Sequence, residues 1–294
     1  MLCQICPHNC RLDRNTKLGV CQAPASFKIA HAQLHLWEEP CISGQNSSGA
    51  IFFSHCNLKC VYCQNHEISQ KGQGEIFTLP QLLKLCLKLK NQGAHNLNLV
   101  SPTCYTDLLL KILPEIKQQT NLPIIWNSNA YEKVEILQQL EGLVDVYLPD
   151  FKYANNDLAL KYSQATNYFP VALAAIKEMV RQQPQIEIDE FGLIKKGVMI
   201  RHLVLPGQIN DSQNILQAIK DNFKNKAWIS LMAQYYPTYK ASEYPELNAK
   251  LSPQEYRAIK DFYEQLNFSG GYFQELDSSS QAYTPIWDEQ SLEI

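Results

Sequence analysis

The stretch His55-Cys56-Asn57-Leu58-Lys59-Cys60-Val61-Tyr62-Cys63-Gln64-Asn65-His66 decides the reading of this chain. Its cysteines are spaced C-x3-C-x2-C, with an aromatic residue directly before the last. Three thiolates on one short loop can hold three corners of a cubane iron–sulfur cluster. An ordinary [4Fe–4S] centre takes four cysteines, so three leave one iron open to a substrate or cofactor. The rival readings are zinc and a redox pair. Structural zinc takes four closed ligands, usually from two separated C-x2-C pairs. The spacing here is of another kind, and the cluster is the preferred reading.

Upstream of the loop, Gly49-Ala50-Ile51-Phe52-Phe53-Ser54 reads as a strand that runs straight into it. Downstream, Thr78-Leu79-Pro80-Gln81 reads as a helix start. Thr78 is the N-cap, Pro80 lies in the first turn, and Gln81 holds the capping-box position. Leu82, Leu83, Leu85, Cys86 and Leu89 then recur at helical spacing, and Gly93 ends the run. Further strands are expected over 96–101, 123–128, 143–149, 197–205 and 228–233. Helices are expected near 106–119, 132–141, 169–182 and 212–224. This alternation predicts an α/β fold: six βα units whose right-handed connections curl a parallel sheet into a partial (βα)6 barrel. Chemistry in βα barrels sits at the C-terminal ends of the strands, which is where the cysteine loop falls.

Three regions are expected. Residues 1–49 form a cysteine-rich segment with few apolar periods, 50–240 the partial barrel, and 241–294 a C-terminal extension with one helix that packs on the barrel. The 294 residues are 45% hydrophobic and 19% charged, as in an ordinary globular chain. The formal net charge of −3 gives no electrostatic case for nucleic acid as the main partner. No apolar run reaches the roughly 18 residues of a membrane span. The start, Met1-Leu2-Cys3-Gln4-Ile5-Cys6, lacks a signal-peptide core, so a cytoplasmic location is expected. Ten cysteines in that compartment point to metal ligands or free thiols over disulfides.

Several motifs together carry a family resemblance. They are Cys56 to Cys63, then Cys63-Gln64-Asn65-His66-Glu67-Ile68-Ser69, Asn98-Leu99-Val100-Ser101-Pro102-Thr103 and Pro149-Asp150-Phe151-Lys152-Tyr153. Arg201-His202-Leu203-Val204-Leu205-Pro206-Gly207 and Leu231-Met232-Ala233-Gln234-Tyr235-Tyr236-Pro237 complete the set. The chain resembles the radical S-adenosylmethionine (SAM) enzymes, and within them the pyruvate formate-lyase activating enzyme-like subgroup. The resemblance implies a [4Fe–4S] cluster on Cys56, Cys60 and Cys63, with SAM on the open iron. It also implies a one-electron donor such as a flavodoxin or ferredoxin, and a protein substrate, a glycine Cα–H in a glycyl radical enzyme. A different peptide, nucleotide or small molecule is the alternative substrate. A non-catalytic iron–sulfur or zinc protein is the rival from another class.

The resemblance also implies roles for residues. Asp150 and Lys152 form the D-x-K motif that contacts SAM in related activating enzymes; otherwise they are an ion pair at a strand end. Arg201, at mid-strand, either holds the SAM carboxylate or pairs with Asp150 or Glu178. Tyr62 either approaches the adenine or packs the loop. Asn65 either tunes the cluster or caps the next turn. The family's usual Gly-Gly-Glu after the second strand is replaced by Val100-Ser101-Pro102-Thr103. The Ser101 and Thr103 hydroxyls are therefore the candidates for the SAM ammonium.

A second constellation, Cys3, Cys6, Cys10 and Cys21, is spaced C-x2-C-x3-C-x10-C. Four thiolates suit zinc or an auxiliary [4Fe–4S] cluster, and a metal would hold together a segment with little apolar core. Free thiols are the alternative. Cys86 reads as packing and Cys104 as a thiol at the barrel top, while Cys41 has no assigned role.

Overall fold

The alternating apolar runs of the middle region fold as β strands separated by amphipathic helices. The structure, a computed structural model, describes residues 2–280, 287 and 290–293. In chain order the elements are β1 (Phe27–His35), α1 (Pro40–Ser43), β2 (Ser48–Phe53), α2 (His66–Ser69), β3 (Glu75–Phe77), α3 (Leu79–Asn91) and β4 (Leu97–Val100). There follow α4 (Thr106–Thr120), β5 (Ile124–Ser128), α5 (Val134–Leu137), β6 (Val146–Pro149), α6 (Asn156–Ser163), α7 (Tyr168–Gln182) and β7 (Glu187–Ile188). Then come β8 (Ile194–Leu203), α8 (Ile209–Phe223), β9 (Trp228–Met232), α9 (Pro253–Leu266) and β10 (Gly271–Phe273). Among the described residues no helix is long and apolar enough to cross a membrane.

The sheet order is β10-β9-β8-β6-β5-β4-β2-β1-β3, with β7 beside β8. All pairings from β2 through β10 along this path are parallel. The six expected strands are present, with β10 added at one edge from the stretch after residue 240. The other edge is antiparallel: β1 pairs with β2, and β3 with β1. The sequence reading missed β1 because Lys28, His31, Gln33 and His35 interrupt its apolar residues, and the register shift between Ile29 and His31 breaks the alternation that begins with Phe27 and Ile29. The edge strands β3 and β10 do not pair with each other, and this gap is the open side of the partial barrel.

Strand alternation sorts the residues into two cores. Leu97, Leu99, Ile124, Trp126, Tyr147, Val198, Ile200 and Ile229 face out, buried together with the apolar sides of α3, α4, α7 and α8. Cys86 lies fully buried in that layer. The capping box on α3 forms as expected, with Thr78 and Gln81 bonded reciprocally. Inside the barrel, Ile125, Val146, Leu148 and Met199 form a separate cluster with Cys41 and Ile42 of α1. The Ile42 carbonyl accepts from Asn96 Nδ2 at 2.8 Å, just before β4. α1 thus plugs the barrel at the N-terminal ends of its strands. Above this apolar floor the inward positions turn polar: Asn127 on β5, Asp150 just after β6, Arg201 on β8 and Ser230 on β9.

Where β2 ends, Gly74 has φ +134°, and a Cβ there would sit on the Ser54 hydroxyl and the Ile29 carbonyl. Gly93, φ +95°, has open space around it. Gly74→Ala should therefore destabilise the fold by about 2–4 kcal/mol, against about 1 kcal/mol for Gly93→Ala, which carries backbone strain alone. Urea unfolding of the two variants checks the difference.

Candidate active site

β2 delivers the chain to the barrel top, and His55, with φ +70°, turns it into the cysteine loop. The loop has little regular structure and is pinned from several sides. Lys59 N and Val61 N donate to the carbonyls of Ser163 and Tyr162, and Lys240 N donates to the Val61 carbonyl. The Cys56, Cys60 and Cys63 side chains line one cavity of about 610 Å³.

Each sulfur has its own donor. Asn129 Nδ2 lies 3.3 Å from Cys56 Sγ, and Leu58 N 3.4 Å from it. Ser163 Oγ donates to Cys60 Sγ at 3.0 Å. Cys63 Sγ is 3.2 Å from Ser69 Oγ and is met by the Asn65 backbone amide. Burial pushes all three thiols up, Cys60 to about 12, and the Lys152 ammonium pulls each of them back. Among the described residues no three His, Cys, Asp or Glu side chains converge tightly enough for a single metal ion. A four-iron cluster is itself several ångströms wide and holds its thiolates farther apart than one ion does.

The structure gathers most of the sequence-derived candidates on this cavity. Tyr62, Asn65, Ser101, Asp150, Lys152 and Arg201 all line it. Asp150 is shared: Oδ1 accepts from Arg201 Nε and Oδ2 pairs with Lys152 Nζ, each at 2.8 Å. Arg201 also donates to Glu38 Oε2 at 3.2 Å and to Asn127 Oδ1 at 2.6 Å. Glu178, the other suggested partner of Arg201, pairs with Arg181 instead. Tyr62 packs edge-on to Tyr235, and its hydroxyl meets Tyr153. Since Ser163 donates to Cys60, it accepts from Tyr153, which in turn accepts from Tyr62. The tyrosine pair is thereby chained to a cysteine sulfur. The Asn65 side chain makes no capping bond to α2.

Thr103 is placed elsewhere. It is buried off the cavity, and its hydroxyl donates to Glu132 Oε1 at 3.0 Å. His202 also lies away from the cavity. Its Nδ1–H donates to the Phe151 carbonyl at 2.8 Å and its Nε2 accepts from Ser212 at 2.9 Å. Burial lowers its pKa to about 4, so it is a neutral structural group.

At the N-terminus, Cys6 and Cys21 are buried while Cys3 and Cys10 are partly exposed. Burial and the neighbouring Cys21, Cys10 and Cys3 push Cys6 up to about 12. Gly19 fits because a Cβ there would press on Cys10 Sγ at 2.8 Å. Cys104 hydrogen-bonds Cys21, and Arg14 Nη1 holds the Cys104 carbonyl at 2.7 Å. The segment touches the cysteine loop directly, through His8 Nε2 to the Asn57 carbonyl at 2.7 Å.

Sequence reasoning missed Asn129, Ser163, Ser69, Glu38, Glu39 and Asn127. The run Asn127-Ser128-Asn129 at the end of a barrel strand was a readable signal, by the rule that strand ends carry chemistry. Glu38 and Glu39 gave none, because the segment before α1 had not been placed inside the barrel.

Comparisons with known proteins show the family. The model of the Radical SAM superfamily matches residues 50–219. An uncharacterized protein of Methanocaldococcus jannaschii is 35% identical over 274 residues, covering 90% of this chain and 75% of that protein. The pyruvate formate-lyase-activating enzyme of Clostridium pasteurianum is 25% identical over 219 residues, covering 70% of this chain and 82% of that enzyme. Among solved structures, SuiB of Streptococcus suis bound to its precursor peptide SuiA superposes with a TM-score of 0.53 at 12% identity. That match covers 75% of this chain and 46% of SuiB, and it bears on the fold alone. The chain belongs to the radical SAM superfamily. With membership come a [4Fe–4S] cluster, SAM and an external electron donor.

Behind the wall, the fully buried Glu132 accepts from Thr103, Trp126 and Ser128, and burial pushes its carboxyl up. It fixes the turn that presents Asn129 to Cys56. Glu132→Leu leaves these three donors without their acceptor and should destabilise the protein by about 2–4 kcal/mol, read as a lowered urea midpoint.

Proposed function

We propose that Cys56, Cys60 and Cys63 hold a [4Fe–4S] cluster whose fourth iron takes SAM, and that the enzyme removes the Cα hydrogen of a glycine in a protein substrate. The observation that carries this is the cavity wall: three thiols from one loop, each met by a separate donor, opposite Asp150, Lys152 and Arg201. The donor set fits the group, since among the described residues these are the cysteines on that wall. Held by Cys56, Cys60 and Cys63, the cluster would pass one external electron to SAM, which would supply the 5′-deoxyadenosyl radical, with methionine as co-product, for hydrogen-atom abstraction.

The chain's own residues do the rest. Lys152 balances thiolate charge and, with Arg201, faces the SAM carboxylate. Asp150 holds both cations in place. Ser101 and Asn65 supply polar contacts at the rim, Tyr62 fixes the loop through Tyr153, and Thr103 supports the wall through Glu132. A flavodoxin or ferredoxin is the proposed donor, and the cytoplasm the proposed compartment, where ten free cysteines stay reduced. The glycine substrate rests on the similarity to the activating enzyme of Clostridium pasteurianum. We assign Cys3, Cys6, Cys10 and Cys21 to an auxiliary [4Fe–4S] cluster in preference to zinc: Cys21, Cys10 and Cys3 all act on Cys6, but the four thiols do not converge as a single ion requires.

The test is anaerobic cluster reconstitution followed by SAM cleavage under dithionite. The wild type should form 5′-deoxyadenosine, and Cys60→Ala should lose at least about 100-fold in rate, or roughly 2.7 kcal/mol or more of barrier. Cys6→Ala should retain cleavage, weakened. Undiminished cleavage by Cys60→Ala, or anaerobically purified protein that carries zinc without iron, overturns the assignment.

A further inference from the structure

The cavity extends below the cysteine loop to Glu38, Glu39 and Ser230, which the SAM reading does not use. The segment between β1 and α1 enters the barrel and places Glu38 and Glu39 on the cavity wall. The two half-buried acidic groups there are fully engaged. Asp150 gives its two oxygens to Arg201 and Lys152. Glu38 Oε1 accepts from Asn98 and Asn127, and Oε2 from Arg201. Glu39 differs. Ser230 and the Glu39 backbone amide both favour its charged form, but Oε2 has no hydrogen-bond partner among the described residues, and Glu39 is only 9% exposed. A buried carboxylate oxygen without a donor is costly, and such groups in native proteins call for an explanation.

The charge balance points the same way. Among the buried and half-buried groups of the cavity, three carboxylates, Glu38, Glu39 and Asp150, face two cations, Arg201 and Lys152, while Glu275 and Asp277 lie exposed to solvent. Burial raises the Glu39 carboxyl, Arg201 lowers it, and Glu38 raises it further. The site is monodentate, which suits a compact ammonium better than the forked guanidinium. Trp37, Tyr272 and Phe273 line the same cavity and supply aromatic faces that favour a cation.

Resting on the radical SAM reading, we propose that Glu39 is the substrate-recognition carboxylate of this site, selecting a substrate that carries a protonated primary amine. The amine donates to Oε2, and the ammonium balances the buried Glu39 carboxylate. Binding is non-covalent, and any proton on Glu39 leaves to solvent as the ion pair forms. The amine belongs either to a lysine side chain of a protein or to a small molecule.

The test uses the reconstituted holoenzyme saturated with SAM, with n-butylamine, n-butanol and the blocked tripeptide acetyl-Gly-Lys-Gly-amide as probes. Binding is read by saturation-transfer NMR titration. Wild type should bind the amine about tenfold or more tightly than the alcohol. Glu39→Gln should remove that preference, and Glu39→Asp should keep part of it. Tighter binding of the tripeptide than of butylamine assigns the amine to a peptide, and equal binding to a small molecule. Equal affinity of wild type for amine and alcohol overturns the proposal, as does an amine preference that survives in Glu39→Gln. Competition between butylamine and SAM also overturns it, because Glu39 would then face the cofactor. The alcohol comparison on wild type stands even if a variant fails to fold. Formation of 5′-deoxyadenosine by wild type is read separately, so failure of the cluster assignment is distinguished from failure of the Glu39 assignment.

Discussion

A guanidinium inside a barrel needs carboxylates beside it, and the site is built around this requirement. Arg201 projects inward from the middle of β8, with its side chain 14% exposed. Removing a charge from water costs several kcal/mol unless pairing and hydrogen bonds return it. Asp150, Glu38 and Asn127 meet the need from three separate segments. β6, β5 and the β1–α1 segment are thereby fixed relative to β8. Asp150 carries a second ion pair to Lys152, whose ammonium faces the cysteine sulfurs. One electrostatic constraint at mid-barrel thus sets the position of the cation that acts on the cysteine loop.

The cysteine loop depends on its surroundings in a similar way. Its sulfurs are addressed by Asn129 after β5, Ser163 at the end of α6 and Ser69 at the end of α2. The loop's shape is therefore distributed over elements whose positions are set by the sheet. Hydrogen bonds to sulfur tune a cluster's potential, so contacts of this kind would position the loop and tune a cluster held there. Asn129 is presented by a turn that Glu132 holds from behind. A buried carboxylate with no access to the cavity in this way controls a donor at the cysteine loop.

The parallel strands were legible because their apolar runs are short, β-branched and separated by helices with clear starts, such as the Thr78–Gln81 box. The cysteine loop was legible from spacing alone. β1 was not, since its residues alternate between small and polar types and take their burial from neighbours on both sides. Thr103 shows another limit. A hydroxyl near a strand end faces the cavity or the wall according to the local turn, and Ser101, with φ +59°, reverses the chain just before it. Glu38 and Glu39 were unreadable for a topological reason. Nothing in Leu36-Trp37-Glu38-Glu39-Pro40 reveals that the following turn plugs the barrel.

That topology accounts for the reach of the N-terminal stretch. β1 runs antiparallel to β2, with Ile29 opposite Phe53 and His35 opposite Ser48. β2 ends at the cysteine loop, so β1 begins near that end of the barrel and finishes at the other. The residues before β1 therefore lie at the top, where His8 touches Asn57 and Cys21 meets Cys104. The residues after it lie at the bottom, where α1 seals the floor and Glu38 and Glu39 enter the interior. A parallel strand at this edge would have exchanged the two ends. The antiparallel edge is what lets one segment of fewer than 50 residues place four cysteines on the side of the cysteine loop and, beneath it, a carboxylate oxygen with no hydrogen-bond partner among the described residues.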